Sequence, residues 1–121
     1  MSIEPYQSVN PDQRLTWLGA SGTRYEFYHY RIGYVTFHPV AGVYIFCHQR
    51  QDGLWYPIYV GETDNFRRRL ADELPGHHRI ADITRAGATH ICAMIVTGGN
   101  AERVRIETDL RHALNAPCNR Q

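Results

Sequence analysis

The chain has no lysine; all 13 of its basic residues are arginines. No mechanism that needs a lysine amine is therefore available to it. A GC-rich genome produces the same bias, but arginine also presents a rigid fork of donors suited to phosphate. No long apolar run is present, which excludes a membrane-spanning helix. The opening stretch MSIEPYQSVNPDQ lacks the basic and apolar regions of a signal peptide. The three cysteines, Cys47, Cys92 and Cys118, are scattered and form no CxxC or Cys/His spacing, so no zinc site is expected. Reduced thiols in a cytoplasm are the expectation instead. A net charge of +1 also lacks the strongly basic balance that marks many nucleic-acid binders. Internal repeats and low-complexity segments are absent as well.

At 121 residues the chain is long enough to bury one core without disulfide staples. The first dozen residues read as a polar, proline-bearing arm. LTWLGASGTRYEFYHYRI reads as two strands around an Ala-Ser-Gly turn, followed by a connection through His38-Pro39. AGVYIFCH is apolar on both faces, as a central strand is. The QDGL segment predicts a hairpin turn, because Asp-Gly supplies the backbone angles a tight turn needs. WYPIYVG is the returning strand. A helix is expected from a cap at Thr63, Asp64 or Asn65 to about Leu74, ended by Pro75-Gly76. HHRIADITRAG predicts a second helix that stops at Gly87, and ATHICAMIV a further core strand. AERVRIETDLRHAL, capped by Asn100, is the last helix, which the chain leaves through Pro117. This order predicts an α+β domain: a small, mainly antiparallel β-sheet flanked by helices. An extra N-terminal hairpin within residues 1–40 packs on a core of residues 41–121.

With Asp52 and Gly53 as the central turn residues, Tyr44 lies opposite Gly61 and Tyr59 opposite Phe46. Side chains alternate along a strand, so Tyr44 and Tyr59 share one face as diagonal neighbours. Gly61, with no side chain, is expected to leave an open pocket beside Tyr44. A phenol there can exchange a proton or hold a phosphate oxygen or water, whereas tyrosine pairs on strands also serve simply as aromatic packing. On the next helix Phe66, Leu70 and Leu74 form the apolar stripe. Arg68 points away from it, and Arg67 and Arg69 flank it. Arg69 can reach back over the sheet or pair with Glu73 four residues on. On the last helix Ile106, Leu110, Ala113 and Leu114 form the apolar arc, with Val104 further round and Glu107 at its edge. Glu107 is then either a metal ligand facing a cleft or a structural acid paired with Arg103 or Arg111.

Taken together, Gly42-Val43-Tyr44, Tyr59-Val60-Gly61 and the run Thr63, Asn65, Phe66, Arg69, Leu70 resemble the GIY-YIG nuclease domain. Glu107 on a later helix and Asn119 in the ending NAPCN complete the pattern, which covers about Ala41 to Asn119. The resemblance implies a metal-dependent endonuclease that hydrolyses phosphodiester bonds in DNA with one Mg²⁺ or Mn²⁺ held by Glu107. It implies that Arg69 neutralises charge on the phosphoryl group, that Tyr44 orients or deprotonates the attacking water with Tyr59 assisting, and that Asn119 supports the site. Arg67 and Arg69 are the expected nucleic-acid contacts. Many members carry a histidine four residues after the arginine, where this chain has Glu73; His77 and His78 stand close enough in sequence to supply the imidazole. Glu73 itself can join the metal site or neutralise Arg69. His90 reaches the site only if its strand turns it to the tyrosine face. The N-terminal hairpin lies outside the resemblance and is expected to offer a surface to a second copy or a protein partner. The alternative function is a catalytically silent GIY-YIG-like module that binds nucleic acid or a protein.

Overall fold

The structure, a computed structural model, describes residues 13–33, 36–72 and 74–119. It has an α+β architecture built on one five-stranded antiparallel sheet. The strands are β1 (Arg14–Leu18), β2 (Arg24–Arg31), β3 (Gly42–Gln49), β4 (Trp55–Thr63) and β5 (His90–Ile95), in the spatial order β1-β2-β5-β3-β4. The N-terminal hairpin is part of this sheet, because β2 pairs with β5 from Tyr28↔Ala93 to Arg31↔His90. Its turn is tied to the last helix by Asp109, whose carboxylate accepts hydrogen bonds from the Ser21 hydroxyl (2.7 Å), the Ser21 N–H (2.8 Å) and the Tyr25 hydroxyl (2.7 Å).

The alternating pattern of the strands sorts two cores onto the two faces of the sheet. Val43, Ile45 and Cys47 of β3 join Trp17, Phe27, Val60 and Cys92 beneath the long helix α2 (Asn100–Leu114), whose Ile106, Leu110 and Leu114 close that face. Tyr44 and Phe46 point the other way and join Ile58, Tyr59, Phe66, Leu70, Ile83 and Ile91. β3 is buried on both faces because it lies between β5 and β4, which accounts for its unbroken apolar run.

Tyr44 pairs with Gly61 and Tyr59 with Phe46, as the turn position predicts, but two irregularities cancel to produce that register. The loop is Gln51-Asp52-Gly53: the Gly53 N–H donates to the Arg50 carbonyl at 2.9 Å, with Gly53 at φ 83°. Such a three-residue loop shifts the pairing near the turn by one, to Gln49↔Trp55 and Cys47↔Pro57. A bulge at Ile58, between Phe46 and Cys47 on the facing strand, restores it. β4 is an edge strand, so Pro57 leaves no ladder hydrogen bond unmade beside the bulge.

The helix expected from residues 63–65 to Leu74 is not continuous. Asn65 is its cap, its side-chain oxygen accepting the Arg68 N–H at 3.0 Å, while the Thr63 hydroxyl accepts the Asn65 N–H at 3.1 Å. The chain then makes a single π-helical turn, Arg68–Asp72, and a 3₁₀ turn, Leu74–Gly76. Pro75 disfavours helical backbone at Leu74, which breaks the segment early. Phe66 and Leu70 still bury, at 2% and 5% exposure, a gain of about 1.5–3 kcal/mol each. The second helix is likewise shorter than expected: α1 covers Ile80–Arg85 and leaves His77 and His78 in the turn before it. Asn100, expected as the cap, is the first residue of α2 instead; Gly99, at φ 93°, holds the cap position, and Asn100 Oδ1 accepts from the Arg103 side chain at 3.4 Å. Val104, expected on the apolar arc, is 41% exposed, and Arg103 is buried in its place. A 3₁₀ turn, Pro117–Asn119, follows. Among the described residues no helix is long and apolar enough to cross a membrane.

Candidate active site

The two tyrosine motifs are built around their glycines. A Cβ on Gly61 would lie 2.5 Å from the Tyr44 hydroxyl oxygen, and one on Gly42 would strike the Phe66 ring and the Met94 carbonyl. Both positions therefore admit only glycine without a shift of the ring that covers them. The open pocket expected beside Tyr44 is not there; the Tyr44 ring itself lies across Gly61 and is 1% exposed. Tyr59 is buried alongside it, ring centres 6.2 Å apart.

The Tyr44 hydroxyl meets His77 Nε2 at 2.9 Å. His77 Nδ1 accepts the Arg79 backbone N–H at 3.1 Å. A neutral imidazole that accepts at Nδ1 carries its proton on Nε2, so His77 donates to Tyr44. The Arg69 guanidinium also acts on the Tyr44 hydroxyl and favours its ionised form. His77 thus supplies a donor to the phenol oxygen, which leaves the Tyr44 O–H to point elsewhere. Burial pushes Tyr44 well above the ordinary phenol range, with Tyr59 and Glu107 adding to the rise and Arg69 opposing it. His77 is 2% exposed, and burial, reinforced by Arg69 and His78, lowers its pKa to about 4. Of the two histidines considered as sources of an imidazole, His77 is thus a buried neutral donor. His78 is exposed, stacks on His77 with ring centres 5.1 Å apart, and accepts from Arg69 at 3.3 Å.

Glu107 is half-buried, and burial raises its carboxyl above the usual range; Arg111 opposes the rise and Glu62 adds to it. Neither expected ion pair forms. Arg103 turns instead into the core and pairs with Glu62 at 2.8 Å, and among the described residues Glu107 has no cation within 4 Å. Its charge nevertheless acts on both tyrosines. The described residues contain no group of three or more His, Cys, Asp or Glu side chains that could enclose a metal ion. A lone unpaired carboxylate still suits Mg²⁺ or Mn²⁺, since such ions keep several waters and take one or two carboxylates together with substrate phosphates.

Asn119 braces the outer edge of β4. Its side-chain oxygen accepts the Val60 N–H at 2.7 Å and its amide donates to the Val60 carbonyl at 2.9 Å. The amide thereby continues the ladder on the side of β4 where no further strand pairs among the described residues, between Tyr59 and Gly61.

Arg69 and Glu107 thus act electrostatically on both Tyr44 and Tyr59, and Asn119 lies against β4 beside Tyr59. Arg67 is exposed on the turn, and Arg68 pairs with Asp64 at the surface. Glu73 lies outside the described residues. His90 turns to the opposite face, stacked on His29 with ring centres 4.6 Å apart, and takes no part. No sequence signal singles out Arg79, and Arg111 is expected only as a partner for Glu107; both, with Arg69, act on Tyr59. The one available signal was the spacing of Arg111, one turn after Glu107 on the same helix. Comparison with protein-family models, with curated proteins and with solved structures gives no match to this chain.

Proposed function

We propose that the chain is a metal-dependent endonuclease that hydrolyses phosphodiester bonds in DNA, in the manner of a GIY-YIG nuclease domain. The observation that carries this reading is the buried Tyr44–His77 contact beside Tyr59, with Arg69 and a half-buried Glu107 acting electrostatically on both tyrosines and no cation within 4 Å of Glu107 among the described residues. Arg69 offers its guanidinium to the phosphoryl oxygens as negative charge builds on them. Tyr44, held protonated by burial and supplied with a donor by His77, presents its own O–H to orient a water or a phosphate oxygen. Asn119 keeps β4, and with it Tyr59, in place. Glu107 would hold Mg²⁺ or Mn²⁺, which would supply Lewis-acid polarisation of the phosphate and of the leaving oxygen. Three cysteines that all stay free accord with a cytoplasmic setting.

The second reading, a silent nucleic-acid- or protein-binding module, draws on the 1% exposure of Tyr44. One assay separates the two. Supercoiled plasmid and branched or single-stranded DNA are incubated with the protein and Mg²⁺ or Mn²⁺, beside Glu107→Ala and Arg69→Ala. The nuclease reading expects nicking by the parent and a loss on the order of 100-fold or more in each variant. Substrates left intact by the parent overturn it in favour of the silent module. Nicking that survives in Glu107→Ala removes that residue from the metal role.

A further inference from the structure

Beyond Tyr59 the site continues into a small polar cavity of about 110 Å³, walled by Tyr59, His78, Arg79, Arg111, Cys118 and Asn119. It adjoins a second polar recess of about 340 Å³ that shares Arg111 and Asn119 and runs on to Thr108 and His112. The first cavity has room for roughly four waters, which suits a phosphate group and excludes a nucleobase. None of its walls is a carboxylate. Two acids stand nearby. Asp82 engages Arg79 at 3.3 Å, and Glu107 lies one turn before Arg111 without pairing to it. Arg111 has a single hydrogen bond among the described residues, to the Asn119 carbonyl at 3.5 Å, the outer limit of such a contact. Most of its donors are therefore unspent, at the mouth of a donor-rich cavity that opens beside the proposed catalytic tyrosine.

We propose that Arg111, with Arg79 across the cavity, seats the backbone phosphate next to the one being cleaved, so that the strand leaves the site over Asn119 toward His112. This rests on the nuclease reading and adds to it a binding position that neither tyrosine motif contains. The guanidiniums also explain how a chain of net charge +1 holds a polyanion. The needed positive charge is local, at one groove, and does not require a basic surface elsewhere.

The test is binding to a fluorescent single-stranded oligonucleotide, without divalent ion so that nothing is cleaved, followed by anisotropy between about 50 and 200 mM salt. One lost phosphate contact lowers the slope of log K against log salt by about 0.7 and weakens binding roughly fivefold near 0.1 M. Arg111→Gln shows that change, Arg79→Gln shows a second one, and Arg111→Lys restores the slope because the charge returns. A merely structural role for Arg111 would not move the salt slope, and its exposure makes the variants safe for folding. Oligonucleotides with and without a terminal phosphate give the same drop. A drop seen only with the terminal phosphate overturns the backbone assignment, as does an unchanged slope in Arg111→Gln. The plasmid assay, run in parallel, keeps the readings apart. Cleavage with an unchanged slope leaves the nuclease standing without this seat; the slope change without cleavage leaves the seat on a silent binder. A parent that binds no strand overturns the seat, and the plasmid assay alone decides the nuclease reading.

Discussion

Replacing Asn119 with alanine removes two hydrogen bonds at once, 2.7 Å and 2.9 Å long, and leaves both backbone groups of Val60 unmatched on the outer edge of β4. An orphaned buried backbone group costs about 1–3 kcal/mol. Asn119 is half-buried, so water recovers part of this, and the sum comes to about 2–3 kcal/mol. For a domain of this size that lowers the melting temperature by roughly 8–12 °C. Urea denaturation of Asn119→Ala measures the loss directly, and a value under about 0.5 kcal/mol would refute the bracing role.

Two further predictions concern the tyrosine pocket. Gly61→Ala forces the Tyr44 ring off its place and away from His77, at a cost of about 1–3 kcal/mol in thermal unfolding; an unchanged melting temperature would mean the ring has room to spare. His77 has its pKa lowered to about 4, against about 6.5 when unfolded, so the unfolded chain takes up its proton first as pH falls. Its contribution is complete above about pH 6.5 and fades toward pH 4, losing about 1–2 kcal/mol by pH 5. His77→Gln removes that part of the slope in urea denaturation and leaves the part due to His29, which is also lowered to about 4. An identical slope in the variant would show that His77 is not the buried neutral donor.

By itself the sequence determined the strands, their order and the shared face of Tyr44 and Tyr59. Alternation along a strand and an Asp-Gly turn are local signals that survive without knowledge of what packs on them. A cap among Thr63, Asp64 and Asn65, and the burial of Phe66 and Leu70, were legible for the same reason, while the choice of Asn65 was not. Even so, the tyrosine register is right through compensation: the loop is one residue longer than assumed, and the Ile58 bulge returns that residue. Tertiary structure alone decided the rest. Helical periodicity puts Val104 and Arg103 next to each other at the border of the buried arc, and only the presence of Glu62 on β4 drew the arginine inward and left Glu107 without a pair. His77 looked like any histidine in a linker. It became a buried donor because Pro75 broke the helix early and folded the turn onto Tyr44, 33 residues away in sequence. Arg79 and Arg111 meet across one cavity from separate elements, and no spacing within a single segment encodes that. A side chain's place on its own element is a matter of backbone period, which sequence carries. The charge or cavity it finally faces depends on contacts between distant segments, which exist only once the chain has packed.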